Sequence, residues 1–86
     1  MYEQDNSQNN IREYNLRLGD FPQLIDEVSN TLTYVGYALT VGADQGSAVW
    51  KIKKIEQIGT VWYVQYANGD DQYINIWNNR SILNYK

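Results

Sequence analysis

From Trp50 to Tyr85 the chain is a dense succession of aromatic and β-branched residues interrupted by turn signals. The runs are Trp50-Lys51-Ile52-Lys53-Lys54-Ile55, Trp62-Tyr63-Val64-Gln65-Tyr66 and Tyr73-Ile74-Asn75-Ile76-Trp77, with Ala67-Asn68-Gly69-Asp70 between the last two. Residues of this kind fit a pleated, half-buried surface and form strands. Asn-Gly between apolar runs is a strong hairpin signal, because both residues tolerate positive φ. The expected fold is therefore mainly β, a small antiparallel β-meander of about four to five short strands in a sheet or partial barrel.

Upstream of this passage, Thr31 to Val41 also alternates. Val35, Tyr37, Leu39 and Val41 share one side, and Leu32, Tyr34, Gly36 and Ala38 the other. Apolar character on both sides predicts a central or covered strand, and Gly36 inside it predicts a bulge or a close approach by another backbone. Gly42 to Ser47 is a loop. The next strand is expected over Val49–Glu56, with the Lys53-Lys54 doublet breaking its phase and predicting a bulge. Val61–Tyr66 follows, turning Trp62, Val64 and Tyr66 toward the core. The last strand is expected over Gln72–Ile76, and Trp77 to Leu83 forms a turn or one short helical turn. Trp50, Ile52, Trp62, Val64, Ile76 and Trp77 are the predicted core.

The beginning of the chain reads differently. Residues 1–10 are nearly all polar, and 11–18 alternate only partly, through Tyr14, Leu16 and Leu18. We read 1–18 as a polar N-terminal arm, disordered in isolation or docked on a neighbour, ahead of a single small β-domain over 19–86. Within that domain Asp20 is a good N-cap with Gln23 as its capping-box partner, and Pro22 suits a first helical turn. Phe21, Leu24, Ile25 and Val28 fall at helical spacing, predicting one short helix near 21–29.

With 86 residues, the chain has room for one domain, which hides only about 60–65% of the surface its unfolded form exposes. Oligomerisation or docking onto a larger body is a common remedy for a core this small. The chain has no Cys and no His, so it lacks disulfides, thiolate metal sites, and the commonest metal ligand and neutral-pH acid–base group. Ser–His and Cys–His catalytic pairs are excluded. Asp26 and Glu27 are adjacent rather than opposed across a cleft. Asp70-Asp71 falls short of the about six to eight oxygens that Ca²⁺ requires. No enzyme, cofactor or metal is expected.

Partners are the more informative question. The net charge of −3 argues against a nucleic-acid footprint, although Lys51, Lys53 and Lys54 lie near Trp50, Trp62 and Tyr63, as in single-strand binders. No secretory leader is visible, and no segment approaches the roughly 18 apolar residues needed to span a bilayer, so membrane partners are not expected and the chain is placed in a cytoplasm. Tyr34, Tyr63, Tyr73, Lys51 and Lys53 are the candidate interface residues. The same tyrosines would serve a protein contact or stack on a glycan.

One further pattern runs through Thr33-Tyr34-Val35-Gly36-Tyr37-Ala38, Ser47-Ala48-Val49-Trp50-Lys51-Ile52-Lys53-Lys54-Ile55, Tyr66-Ala67-Asn68-Gly69-Asp70 and Ile76-Trp77-Asn78-Asn79-Arg80-Ser81-Ile82-Leu83-Asn84-Tyr85. It resembles a group of small proteins encoded by tailed bacteriophages, which share a YxGxA, SAxWxIxxI, WADGN, IWxxRxxLxY-like order of residues. The likeness covers about residues 33–85 and departs at Tyr66-Ala67-Asn68-Gly69-Asp70, where the group has Trp-Ala-Asp-Gly-Asn. It implies a non-enzymatic virion protein of the head, neck or tail, made in the host bacterial cytoplasm. Its implied partners are other virion proteins and copies of itself. The alternatives are a small glycan-binding, adhesin-like module, or a phage-encoded effector that binds a host protein or single-stranded nucleic acid.

Overall fold

The computed structural model of the chain describes residues 18–86. The predicted arm, 1–18, lies outside the described residues except for Leu18, which opens a short 3-10 turn, Leu18–Asp20. Beyond it the domain is mainly β: an antiparallel sheet with no α-helix among the described residues.

Four strands, β1 (Leu24–Ser29), β2 (Leu32–Ala38), β3 (Ala48–Ile58) and β4 (Val61–Tyr66), lie side by side in chain order. A fifth, β5 (Asn75–Ile76), pairs with β3. The helix expected near 21–29 is thus a strand. Its register runs Leu24 opposite Gly36, Ile25 opposite Val35 and Asp26 opposite Tyr34. The physical reason is length: an isolated helix of two turns does not cover the cost of nucleation. Pairing with β2 instead satisfies the backbone groups of the segment that face that strand. The tight turn Ser29–Thr31 makes this pairing local, and the Ser29 hydroxyl accepts the Thr31 N–H at 3.2 Å.

β3 is the axis of the sheet. Its register with β2 is continuous from Leu32 opposite Glu56 to Ala38 opposite Trp50, so no bulge occurs at Lys53-Lys54. Lys53 and Lys54 simply point to opposite faces, as consecutive strand residues do. The other edge of β3 is shared. β4 covers Lys53 to Ile58, and β5 covers Ala48 to Trp50.

Both β4 and β5 run antiparallel to β3, so the chain continues in one direction along that edge. The Asn68-Gly69 signal therefore does not make a hairpin. Asn68 and Gly69 do adopt positive φ, 63° and 72°, and the Gly69 N–H bonds the Tyr66 carbonyl at 2.9 Å. The turn they form opens an excursion, residues 68–74, from which the chain returns to β3. Asn75 closes its base. Its side-chain amide donates to the Trp50 carbonyl at 3.1 Å and its side-chain oxygen accepts from Asn68 Nδ2 at 3.0 Å.

After β5 a 3-10 turn, Trp77–Asn79, starts a segment that folds over one face of the sheet. We call this the covered face. Alternation and register put Leu24, Asp26, Tyr34, Gly36, Ala38, Trp50, Ile52 and Lys54 on it. Trp77 sits directly above Gly36, where a Cβ would lie 2.7 Å from the indole ring, and stacks at a tilt on Trp50 with ring centres 6.0 Å apart. Tyr85 lies beside Tyr34, centroids 5.8 Å apart. Tyr34, Ala38, Trp50, Ile52, Ala67 and Trp77 form the buried cluster, with Leu83 and Tyr85 packed against it.

Arg80 latches this cover to β1. Its Nε donates to Asp26 Oδ2 at 2.9 Å and its Nη1 to the Trp77 carbonyl at 3.1 Å, with the guanidinium 4.6 Å above the Trp77 ring. The Tyr85 hydroxyl donates to the Arg80 carbonyl at 2.8 Å. Burial, followed by the neighbouring Tyr34 and against the opposing influence of Arg80, raises the Tyr85 pKa well above the usual tyrosine value.

Candidate interaction surface

The second face of the sheet carries Ile25 and Glu27 of β1, Thr33, Val35 and Tyr37 of β2, Lys51, Lys53, Ile55 and Gln57 of β3, and Trp62, Val64 and Tyr66 of β4. Val35 and Tyr37 are buried, but Ile25, Val64 and Trp62 are 62%, 56% and 50% exposed. The register sets Glu27, Thr33, Ile55 and Val64 in one row, with Trp62 opposite Gln57 in the next, while Ile25 lies in the row of Val35 and Lys53. An apolar strip, Ile55, Val64 and Trp62, thus lies along β3 and β4 on a face that the C-terminal segment does not reach.

This corrects the predicted core at two positions. Trp50, Ile52 and Trp77 are buried and Ile76 is half-buried, whereas Trp62 and Val64 lie on the outside. Alternation along β4 correctly groups Trp62 with Val64 but carries no information on which face is covered. That depends on Trp77–Tyr85, which pack on the side holding Trp50.

The candidate interface residues divide into three. Tyr34 is buried under Tyr85 on the covered face and offers no surface. Tyr63 is 44% exposed at the margin of the covered face, on β4. Tyr73, Lys51 and Lys53 come together around Tyr37. Lys51 Nζ lies 4.7 Å from the Tyr37 ring centre and 5.3 Å from that of Tyr73, so the ammonium is held between two aromatic faces. Lys53 lies 5.4 Å from the Tyr37 ring, and its hydrogen bond to Tyr37, outweighing partial burial, raises its pKa. The Tyr73 hydroxyl reaches the Gly19 carbonyl at 3.1 Å, bending the excursion over this end of the open face. The arrangement makes a cationic, aromatic rim to the apolar strip, the usual anatomy of a protein contact with a desolvated centre and a polar border.

Beside Tyr73 is a shallow cleft of about 390 Å³ lined by Ala38, Leu39, Thr40, Ala43, Asp44, Ser47 and Val49. Ser47 Oγ donates to Asp44 Oδ2 at 3.1 Å. Among the described residues no group of three or more acidic side chains is placed to hold a metal ion. No helix among them is long and apolar enough to cross a membrane.

Sequence reading assigns Asn75 no role and does not join Asp26 to Arg80. Asn75 carried the one available signal, a polar residue inside the β-branched run Ile74-Asn75-Ile76. Asp26 and Arg80 are 54 positions apart, and no local pattern joins them. No protein-family model, no curated protein and no solved structure matches the chain.

Proposed function

We propose that the chain is a non-enzymatic structural component of a tailed-bacteriophage virion, a minor head, neck or tail protein acting through protein–protein contacts. The observation that carries this reading is the apolar strip Ile55–Val64–Trp62 on β3 and β4, exposed at Val64 and Trp62, on a sheet whose other face already has its own cover. A contiguous apolar patch rimmed by polar groups marks an interaction site, and the Lys51–Tyr37–Tyr73–Lys53 cluster supplies such a rim. A neighbouring virion subunit seated on the strip would bury Trp62, an anchor type enriched at the energetic centres of interfaces. The phage setting rests on the resemblance over residues 33–85.

Quantitative mass spectrometry of purified particles tests the reading. The expected result is the protein at a copy number matching a ring or lattice. Abundance in infected-cell lysate together with absence from particles would overturn it and favour a host-directed effector.

The cleft beside Tyr73 favours one second reading, a small glycan-binding module. An aromatic ring next to the Asp44 carboxylate and the Ser47 and Thr40 side chains is chemistry suited to a sugar ring. Binding on an array of host surface glycans, lost in Tyr73→Ala with the fold intact, would support it. Silence across the array would count against it.

A further inference from the structure

We propose that the outer edge of β4 pairs with β4 of a second copy of this chain, extending the sheet across a two-fold axis through Tyr63. The inference deepens the assembly reading by naming one contact, and rests on that reading only for its purpose. Self-association in solution and incorporation into particles succeed or fail independently.

Backbone phase comes first. Ala67 sends its N–H inward to the Ile52 carbonyl at 2.9 Å, whereas Tyr66 exchanges two bonds of 3.1 Å with Lys86 on the outer side. In a strand, backbone groups alternate sides with the same period of two as side chains. The register of β4 with β3 is unbroken from Tyr66 to Val61, so Val64 and Trp62 also direct their N–H and C=O groups outward. No strand among the described residues takes them up. The C-terminal Asn84 and Lys86 occupy the edge at Asn68 and Tyr66 and leave the stretch from Val61 to Gln65 open.

These groups fit a second copy in one register. With Trp62 opposite Val64 of the partner and Val64 opposite Trp62, both form hydrogen-bonded antiparallel pairs and all four outward groups are satisfied. Tyr63 then meets its own counterpart, and Val61 meets Gln65, next to the slot that Lys86 fills. The Gly59-Thr60 turn carries the partner chain away toward its own β3, clear of Lys86. Shifting the register to set Val64 against itself would bring Trp62 of the partner onto the edge of Tyr66, where Lys86 already sits.

Side chains agree with the backbone. β4 from Val61 to Tyr66 has no charge and no proline, the two devices that most simply protect an edge. Val61, Trp62, Tyr63 and Val64 are all exposed. The proposed register yields Trp–Val pairs on the open face and a Tyr–Tyr pair on the other, both favourable cross-strand types. The opposite edge is unsuited to meeting itself. β1 carries Asp26 and Glu27 at its centre, and a two-fold pairing there would oppose carboxylates. Val28 is moreover displaced by a register irregularity between Glu27 and Ser29, another means of blunting an edge.

The test is sedimentation equilibrium of the full chain at roughly 100 μM, well above a micromolar dissociation constant. The expected mass is twice the 10.0 kDa of one chain. Tyr63→Lys sets two ammonium groups face to face on the axis, and Val64→Pro deletes an outward N–H without touching the ladder to β3. Each should weaken association at least tenfold, while Val28→Lys on the other edge leaves it unchanged. The natural absence of Cys permits a geometric check. Directly opposed residues in a non-hydrogen-bonded antiparallel pair have Cα atoms about 4.5 Å apart, within disulfide range. Tyr63→Cys should therefore oxidise to a covalent dimer, and Val28→Cys should not. A monomer at this concentration would overturn the proposal, as would a dimer broken by Val28→Lys but not by Tyr63→Lys. Equal cross-linking of the two cysteine variants would do the same.

Discussion

The two faces of this sheet are built from similar residues and reach opposite ends. Each carries a tryptophan, tyrosines, lysine and branched aliphatics. On one face Trp77 folds back onto Trp50 and Gly36, Arg80 ties the cover to Asp26, and Tyr34, Ala38, Trp50 and Ile52 beneath are buried. On the other, Trp62 and Val64 remain half-exposed. The difference does not lie in hydrophobicity. It lies in whether the chain supplies its own second layer, and a single short C-terminal segment supplies one for only one side. The apolar side chains left exposed on the second face are those of the outer strands, Ile25 on β1 and Trp62 and Val64 on β4, while Val35 and Tyr37 between them are buried.

Removing the two tryptophans would test that difference most strongly. Trp77→Ala should cost about 3–5 kcal/mol, the usual range for a buried tryptophan, and Trp62→Ala less than about 1 kcal/mol, both read from urea unfolding. Comparable losses would mean that the second face is covered after all. A subtler break is Gly36→Ala. The added methyl would lie 2.7 Å from the Trp77 ring, and overpacking of this kind costs about 1–3 kcal/mol, whereas an alanine in an exposed strand would be nearly neutral. Arg80→Ala removes the Asp26 pair, a bond to the Trp77 carbonyl and the stacking on its ring. The expected loss is about 1–2 kcal/mol, with no change in self-association.

The finest probe is pH. The folded Tyr85 pKa lies above the unfolded value near 10, so the folded state holds the phenolic proton more tightly. Its contribution is fully present below about pH 10 and is lost as pH rises through and beyond that value. The urea midpoint should decline above about pH 10, and Tyr85→Phe should flatten that decline. Lys53, whose pKa is also raised, acts in the same direction and leaves a residual slope. An unchanged slope in Tyr85→Phe would remove the covered face as the source of the effect.

Strand identity was legible where one local pattern dominated. Val61–Tyr66 is read from sequence with its observed limits, and Val49–Glu56 differs from the observed Ala48–Ile58 only at its ends. At Gly36 there is neither a bulge nor another backbone, but the Trp77 indole packed on the strand. The failures share a cause. Leu24–Ser29 has helical spacing but is claimed by β2, and Asn68-Gly69 has hairpin chemistry but the chain it turns returns to β3. Trp62 and Val64 alternate correctly yet face outward. In each case the deciding partner is remote in the chain, and periodicity reports only neighbours. Of the residues that carry the phage resemblance, Tyr34, Gly36, Ala38, Trp50 and Ile52 fall on the covered face and Trp77, Arg80, Leu83 and Tyr85 in its cover, whereas Ile55 and Tyr66 fall on the open face. That pattern is mainly one of packing, and the strip proposed for contact takes Trp62 and Val64 from outside it.

The excursion between β4 and β5 has a consequence of its own. Both strands run the same way along β3, and the Asn68–Asn75 and Asn75–Trp50 bonds hold the two ends of the excursion together at its root. Its outer part, Asp70 to Gln72, can therefore be lengthened without moving the register of either neighbour. The entropy of loop closure rises only slowly with added residues. The sheet thus has a built-in port at which new sequence can be displayed while the scaffold beneath it stays the same.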